Sequence, residues 1–411
     1  MGRALVIALA LALASACVPE PERETVLRVA LADDWAPAPA VEQVIEEFEA
    51  DHPRVRVEVD GSPFSRMPEL VGASPEGGRS YDLAHWHAFA AAAADLAQPV
   101  DDLWEEHGLR SGEYLEGALQ SVTWGDRRYG VPLDTNAMVV MVRPRVLERA
   151  GLDAEDLAST DGLLDVAHRL VDQDAAEYAL LASASSWEAY GWIRAFGGEV
   201  VRVDAATAEP TFTFDAPAVV EALELGATLI DEGLAPPPFA PDHATEGVQL
   251  FAADRLALHT TGSWDLPTLE QAGVDTAEIL VLPLPRGDGD TATVLGGSSL
   301  FVPHEAEHRE LGFELAVRLT EDPVAARLVE EEGRLPARTR MLDHEALRSA
   351  PGLATFVEQL HDADVMPLIA FPEVAEAFRE GIENALSGRR SAQAAMEDVQ
   401  GFAERWLEAR E

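Results

Sequence analysis

The chain has 411 residues, 47% of them hydrophobic and 25% charged, with aromatic side chains spread along its whole length. That supports two or three compact units with substantial cores and excludes a disordered polypeptide. Acidic residues number 74 against 30 basic ones, every one of them arginine, for a formal net charge of -44; such a field repels nucleic acid, and no arginine-rich stripe overrides it locally.

In chain order, Arg3 supplies a short basic region and Ala4 to Ala14 an apolar run too short for the ~30 Å of a bilayer core. Ala14-Ser15-Ala16 are small residues suited to peptidase cleavage, so residues 1–16 read as an export signal. Cys17, the single cysteine, rules out an internal disulfide and any thiolate metal cluster. Leu13-Ala14-Ser15-Ala16-Cys17 resembles the lipobox of bacterial lipoproteins, although Ala14 stands where leucine is usual. The resemblance implies a lipid on Cys17; an ordinary secretory signal with an incidental cysteine is the alternative. The Pro- and Glu-rich stretch from Val18 to Glu22 would then be part of a tether, residues 17–24. No later run is apolar enough to cross a bilayer, so the mature protein is expected at the outer face of the cell membrane, on the periplasmic side if an outer membrane is present, with a lipid as its only anchor.

Val26 to Leu31 is a compact aliphatic strand, followed by a loop through Trp35 and a helix with Val41, Val44, Ile45 and Phe48 on one face. Beyond Pro53, Val55, Val57 and Val59 alternate with charged residues as in a half-buried strand. Such a β-α-β opening predicts a parallel sheet, and ligands in open α/β sheets bind beyond the C-terminal strand ends, where Trp35 and Trp86 fall. Asp82 to Trp86 predicts a short strand and Phe89 to Leu96 an Ala-rich helix. The apolar strand Ala137 to Val142 leads through Pro144 into a helix from Arg145 to Ala150, stopped by Gly151.

The segment from Tyr129 through Gly130-Val131-Pro132 to Asn136 resembles the first interlobe crossing of the family 1 extracellular solute-binding proteins, the maltose-binding-like receptors of ABC importers. Further resemblances follow in the family's order: Phe196-Gly197-Gly198, the run Phe251 to Leu258 leading to Thr261-Gly262-Ser263-Trp264, the proline pair Pro283 and Pro285 with a Gly296-Gly297 loop, and Gly333 to Arg338 as a third crossing. Together they cover roughly residues 26 to 400. Arg143-Pro144 departs from the family pattern, and no ligand role is placed on Arg143. The resemblance implies an α/β fold of the two-lobed periplasmic-binding-protein type (class II) with three interlobe crossings. Its lobes are expected at 25–134 plus 285–334 and at 135–284 plus 335–411.

A neutral sugar needs aromatic plates for its C–H faces and polar groups for its hydroxyls. Trp86 and Trp264 are expected as plates from opposite lobes, with Trp187, Tyr190 and Trp35 as further candidates and core packing as the alternative for each. Asp134 and Asn136 are placed to bind vicinal hydroxyls, or Asp134 to cap a turn. Gly296, Gly297 and Ser298 would let backbone N–H groups approach a ligand, or serve a tight turn. Arg338 reaches the cleft or forms an interlobe ion pair. His85 and His87 alternate on one strand face but lack a third and fourth ligand, so no metal site is expected, while His87 is kept as a hydrogen-bonding candidate.

No hydrolase elbow, Walker loop or zinc-protease motif occurs, and carboxylate pairs such as Asp33-Asp34 and Asp101-Asp102 arise readily in so acidic a chain. A binding protein rather than an enzyme is therefore expected, monomeric, needing no cofactor, with importer permease subunits as partners. A polyol, glycerophosphodiester or polyamine receptor is the alternative, and an exported hydrolase a distant one. The acidity itself reads as adaptation to a saline habitat, a GC-rich genome accounting for the missing lysine but poorly for the carboxylates.

Overall fold

A computed structural model describes residues 24–73, 80–237, 243–287, 293–349 and 352–410. The expected export signal and Cys17 lie outside the described residues. Within them the expected β-α-β opening is present: strand Thr25–Ala32, helix Pro39–Asp51 and strand Val55–Ser62. The two strands pair in parallel, Val29 opposite Val59. Pro39 begins the helix, where a missing N–H is harmless, and Ala40, Val41, Val44 and Phe48 are its buried face. The Ala-rich helix is shorter than expected, Ala88–Ala93, because Asp95 adopts a left-handed φ of 57° and Leu96 N–H turns back to the Ala91 carbonyl.

The larger sheet is mixed. Its order is Leu335–Pro336, Gly130–Ala137, Thr293–Phe301, Leu83–Trp86, Thr25–Ala32, Val55–Ser62, with Ala363–Asp364 also pairing along Thr293–Phe301. The strand Thr293–Phe301 runs antiparallel to both Leu83–Trp86 and Gly130–Ala137. Its register against the latter slips between Ser298, opposite Asp134, and Ser299, opposite Pro132. A bulge is where a proline is tolerated inside a sheet, and it re-aims the side chains beside it.

The smaller sheet is antiparallel, with Val139–Val142 between Leu258–Thr261 and Leu280–Pro283. Only the buried Met138 separates it from the large sheet along the chain. Alternation divides the central strand: Val139 and Met141 join the apolar cluster that underlies the large sheet, and Val140 and Val142 join a second cluster around Tyr190, Phe214 and Phe378. The chain returns to the large sheet between Pro283 and Thr293, and Leu335–Pro336 pairs into that sheet opposite Thr135 and Asp134. The last two helices, Pro372–Leu386 and Ala392–Glu408, pack on Pro217–Asp231 and contribute to the second cluster. The result is a two-lobed α/β fold.

Candidate functional site

A cleft of about 980 Å³ is lined on one side from the large sheet and on the other from Trp187 and from the segment Ser263 to Asp265 that follows the smaller sheet's strand Leu258–Thr261, at the upper end of the range that takes small-molecule ligands. One wall is polar and belongs to the large sheet. Strand alternation sends His85 and His87 to the cleft and Trp86 to the opposite face. The backbone N–H of Ala32 donates to Nδ1 of His85 at 3.3 Å, which leaves the ring proton on Nε2. Nε2–H then donates to Ser298 Oγ at 2.6 Å, and the Ser298 hydroxyl donates to Asp134 Oδ1, also at 2.6 Å.

Arg334 completes this chain. Its Nη1 lies 3.8 Å from Asp134 Oδ2, its Nη2 is 2.9 Å from Asp34 and its Nε 2.8 Å from Glu332, while the guanidinium sits 4.1 Å over the Trp35 ring. Burial, then Arg334 and His87, hold the His85 imidazole at about 3, so it is neutral at any ordinary pH. His87 is held at about 4 by burial alone. Burial pushes the Asp134 carboxyl up, against the pull of Arg334 and Ser298. Burial also works against the charge on Arg334, but Asp134, Glu332 and Asp34 outweigh it and raise that pKa.

The other wall is aromatic. Trp264 precedes helix Asp265–Gln271 and is 41% exposed, the more open of two exposed large apolar residues among the described ones. Trp187 meets it edge to face, ring centroids 5.2 Å apart at 62°. Gly262 permits this placement, since a Cβ there would fall 1.9 Å from the Trp264 ring. Asp265 accepts from His259 Nε2 at 2.8 Å and from the Thr261 hydroxyl at 2.5 Å, both to Oδ2. Phe64 stands edge-on to His85 and His87 at 5.3 and 5.1 Å between centroids.

Of the expected site residues, Trp35, His87, Asp134, Asn136, Trp187, Trp264, Gly296, Gly297 and Ser298 line the cleft. Trp35 is 3% exposed beneath Arg334, which covers one of its faces. Asn136 has a buried Oδ1 with no partner among the described residues. Trp86 does not line the cleft; it packs against both apolar clusters, because its neighbours at alternate positions take the cleft side. Tyr190 is 1% exposed in the second core, its hydroxyl pKa raised by burial. Arg338 lies over Tyr114 at 5.1 Å with Glu113 and Asp322 nearby, away from the cleft.

Gly296 and Gly297 form neither a loop nor a tight turn. They belong to the strand Thr293–Phe301, where Gly297 adopts φ +110° and a Cβ would come 2.4 Å from the Asp134 carbonyl. Asp34, Phe64, His85, Asp265, Glu332 and Arg334 also line the cleft without having been read as site residues. His85 was legible by its alternation with His87, and Asp265 by its place after Trp264; Arg334 fell inside the Gly333 to Arg338 stretch, but nothing in that stretch singled it out from Arg338. Among the described residues no group of three potential metal ligands converges.

The profile of bacterial extracellular solute-binding proteins matches residues 32–326. The chain belongs to that family. Its similarity to the sn-glycerol-3-phosphate-binding periplasmic protein UgpB of Agrobacterium fabrum is 23% identity over 329 residues, 75% of this chain and 74% of the relative. Among solved structures, the GacH receptor of Streptomyces glaucescens, described unliganded and with acarbose, superposes with a TM-score of 0.80 at 21% identity, covering 94% of this chain and 99% of that one. UgpB from Mycobacterium tuberculosis with glycerophosphocholine gives 0.78 at 19% identity over 93% and 98%. Maltose-bound MalE3 of T. maritima gives 0.77 at 19% over 93% and 100%. These structural likenesses establish the two-lobed fold of a solute-binding protein.

Proposed function

We propose that this protein is the receptor of an ABC importer, capturing a sugar or oligosaccharide in the cleft and presenting it to the permease, and that it binds rather than converts its ligand. The observation that carries this reading is the exposed Trp264, braced by Trp187 and facing a polar wall of Asp134, Ser298, Asn136 and His87 across a cleft of about 980 Å³. An apolar plate opposite directional hydrogen-bonding groups is what a saccharide ring requires. Closure would turn about the passages near Ala137 and beyond Pro336, with ligand contacts to both walls favouring the closed state.

A thermal-shift and calorimetric screen of mono- and oligosaccharides, polyols, polyamines and glycerophosphodiesters tests it. A ligand at a hundredfold excess over its dissociation constant raises stability by about 2.7 kcal/mol. Binding of a saccharide without turnover is expected, and hydrolysis of a glycoside would sink the proposal. The names of the two UgpB relatives favour a second reading, a glycerophosphate or glycerophosphodiester receptor.

Two attributes of the whole chain belong to the same proposal. A lipid on Cys17 would hold the receptor, as a monomer, at the membrane, so wild type should partition into membranes and Cys17→Ser should not; equal partitioning refutes the anchor. Screening of the -44 charge should raise the melting temperature between low and molar salt. A salt-independent melting temperature would remove the case for a saline habitat.

A further inference from the structure

Arg334 is the one arginine among the described residues that line the cleft, and its guanidinium is already occupied. Asp34 takes Nη2, Glu332 takes Nε, Asp134 stands 3.8 Å from Nη1, and Trp35 lies under the plane. A guanidinium binds phosphate through the same planar fork that binds carboxylate, so these partners already hold the geometry an incoming anion would need. The two histidines of the wall supply no positive charge: His85 accepts the Ala32 N–H at Nδ1, and both rings are buried neutral.

What the walls do offer is acceptors. Asn136 Oδ1 is buried without a donor, and Asp265 uses only Oδ2 toward His259 and Thr261, leaving Oδ1 without a protein donor among the described residues. A phosphate entering here would have to displace two carboxylates from Arg334 or face them at close range, and like charges brought together in a cleft are rejected.

Resting on the reading of this cleft as the ligand site, we infer that it is a charge filter, admitting uncharged or cationic solutes and rejecting anionic, phosphate-bearing ones. Asp34 and Glu332 are its specificity-determining residues, because they hold Arg334 away from any ligand anion. The inference narrows the ligand class and decides against phosphate esters of the kind named for one relative.

The test uses calorimetry with sn-glycerol 3-phosphate and with inorganic phosphate on the mature protein and on Asp34→Asn/Glu332→Gln. Wild type is expected to bind neither. The double variant, whose Arg334 keeps Asp134 as its one carboxylate partner while the amides and the residue-34 carbonyl remain as neutral acceptors, should gain at least about tenfold in affinity for sn-glycerol 3-phosphate, and adding Arg334→Gln should abolish the gain. Asp34 has a side chain 59% exposed, so Asp34→Asn alone, with a smaller gain expected, covers the case in which the double variant does not fold. Binding of sn-glycerol 3-phosphate by wild type as tightly as by the variant overturns the filter, and so does the absence of any gain in a folded variant. A neutral-saccharide arm separates the two conclusions. Saccharide and phosphate both binding wild type would leave the sugar reading and remove the filter; a gain for phosphate with no saccharide bound would do the reverse.

Discussion

The two walls of the cleft are built on opposite principles. On the large sheet the polar groups are tied to one another before any ligand arrives: Ala32 to His85, His85 to Ser298, Ser298 to Asp134, and Asp134 to Arg334. On the facing wall Trp264 stands 41% exposed and Asp265 has a carboxylate oxygen turned to no protein donor among the described residues. The run from His85 to Arg334, whose polar groups already satisfy one another, holds its shape and sets charge preference, because moving any member leaves a buried group unpaired; Asn136, whose buried Oδ1 has no partner among the described residues, stands outside that run. An exposed apolar plate gains most from a ligand, because covering it removes apolar surface from water. Rigidity and affinity are thus assigned to different halves of one site.

The sharpest way to break this contrast is to disturb the polar wall from its backbone. Gly297→Ala places a Cβ 2.4 Å from the Asp134 carbonyl at φ +110° and should cost on the order of 3 kcal/mol of stability, measured by chemical unfolding. A cost near zero would mean that this wall is not rigid. Trp264→Ala should act on binding instead. It should weaken saccharide binding roughly 10- to 100-fold by calorimetry while changing unliganded stability by about 0.5 kcal/mol or less. A large loss of stability would return Trp264 to the core.

The neutral His85 gives a third handle. Its imidazole titrates at about 3 against an ordinary 6.5, so between those values only the unfolded chain binds its proton. The stability it contributes is therefore complete above pH 6.5 and is lost as pH falls towards 3, by up to about 1.4 kcal/mol per pH unit. Protonation of surface carboxylates relieves repulsion over the same range, so the comparison with His85→Gln isolates the effect. Wild type should lose stability more steeply than the variant, and parallel curves would show that His85 does not stay neutral in the fold. The smallest expected effect is at Trp86→Phe, which should leave saccharide affinity within about twofold while costing about 1 kcal/mol of packing. A tenfold loss of affinity would put Trp86 back in the cleft.

The β-α-β opening, the helix from Pro39, the proline start and glycine stop of Pro144–Ala150 and the family's order of short motifs were all legible, because each depends on neighbours within a few positions along the chain. So was the exposed position at the cleft of Trp264, which follows a small-residue turn at a strand end. The choice between His85 and Trp86 was legible too, since alternation puts His85 and His87 on one face and Trp86 on the other.

Other features depended on tertiary structure. Gly296 and Gly297 carry the signature of a turn, and only the close approach of Gly130–Ala137 shows that they are strand residues with no room for a side chain. Arg334 was one arginine among many in an acidic chain. Its role comes from Asp34, 300 positions away, from Asp134 and from the face of Trp35, which no local pattern connects to it. By itself the sequence determined the fold class, the family and the kinds of residue available to a polar ligand, because these rest on local periodicity and ordered motifs. The tertiary structure decided which of those residues face the cleft and what charge they present there, because burial and ion pairing are properties of groups brought together from distant parts of the chain.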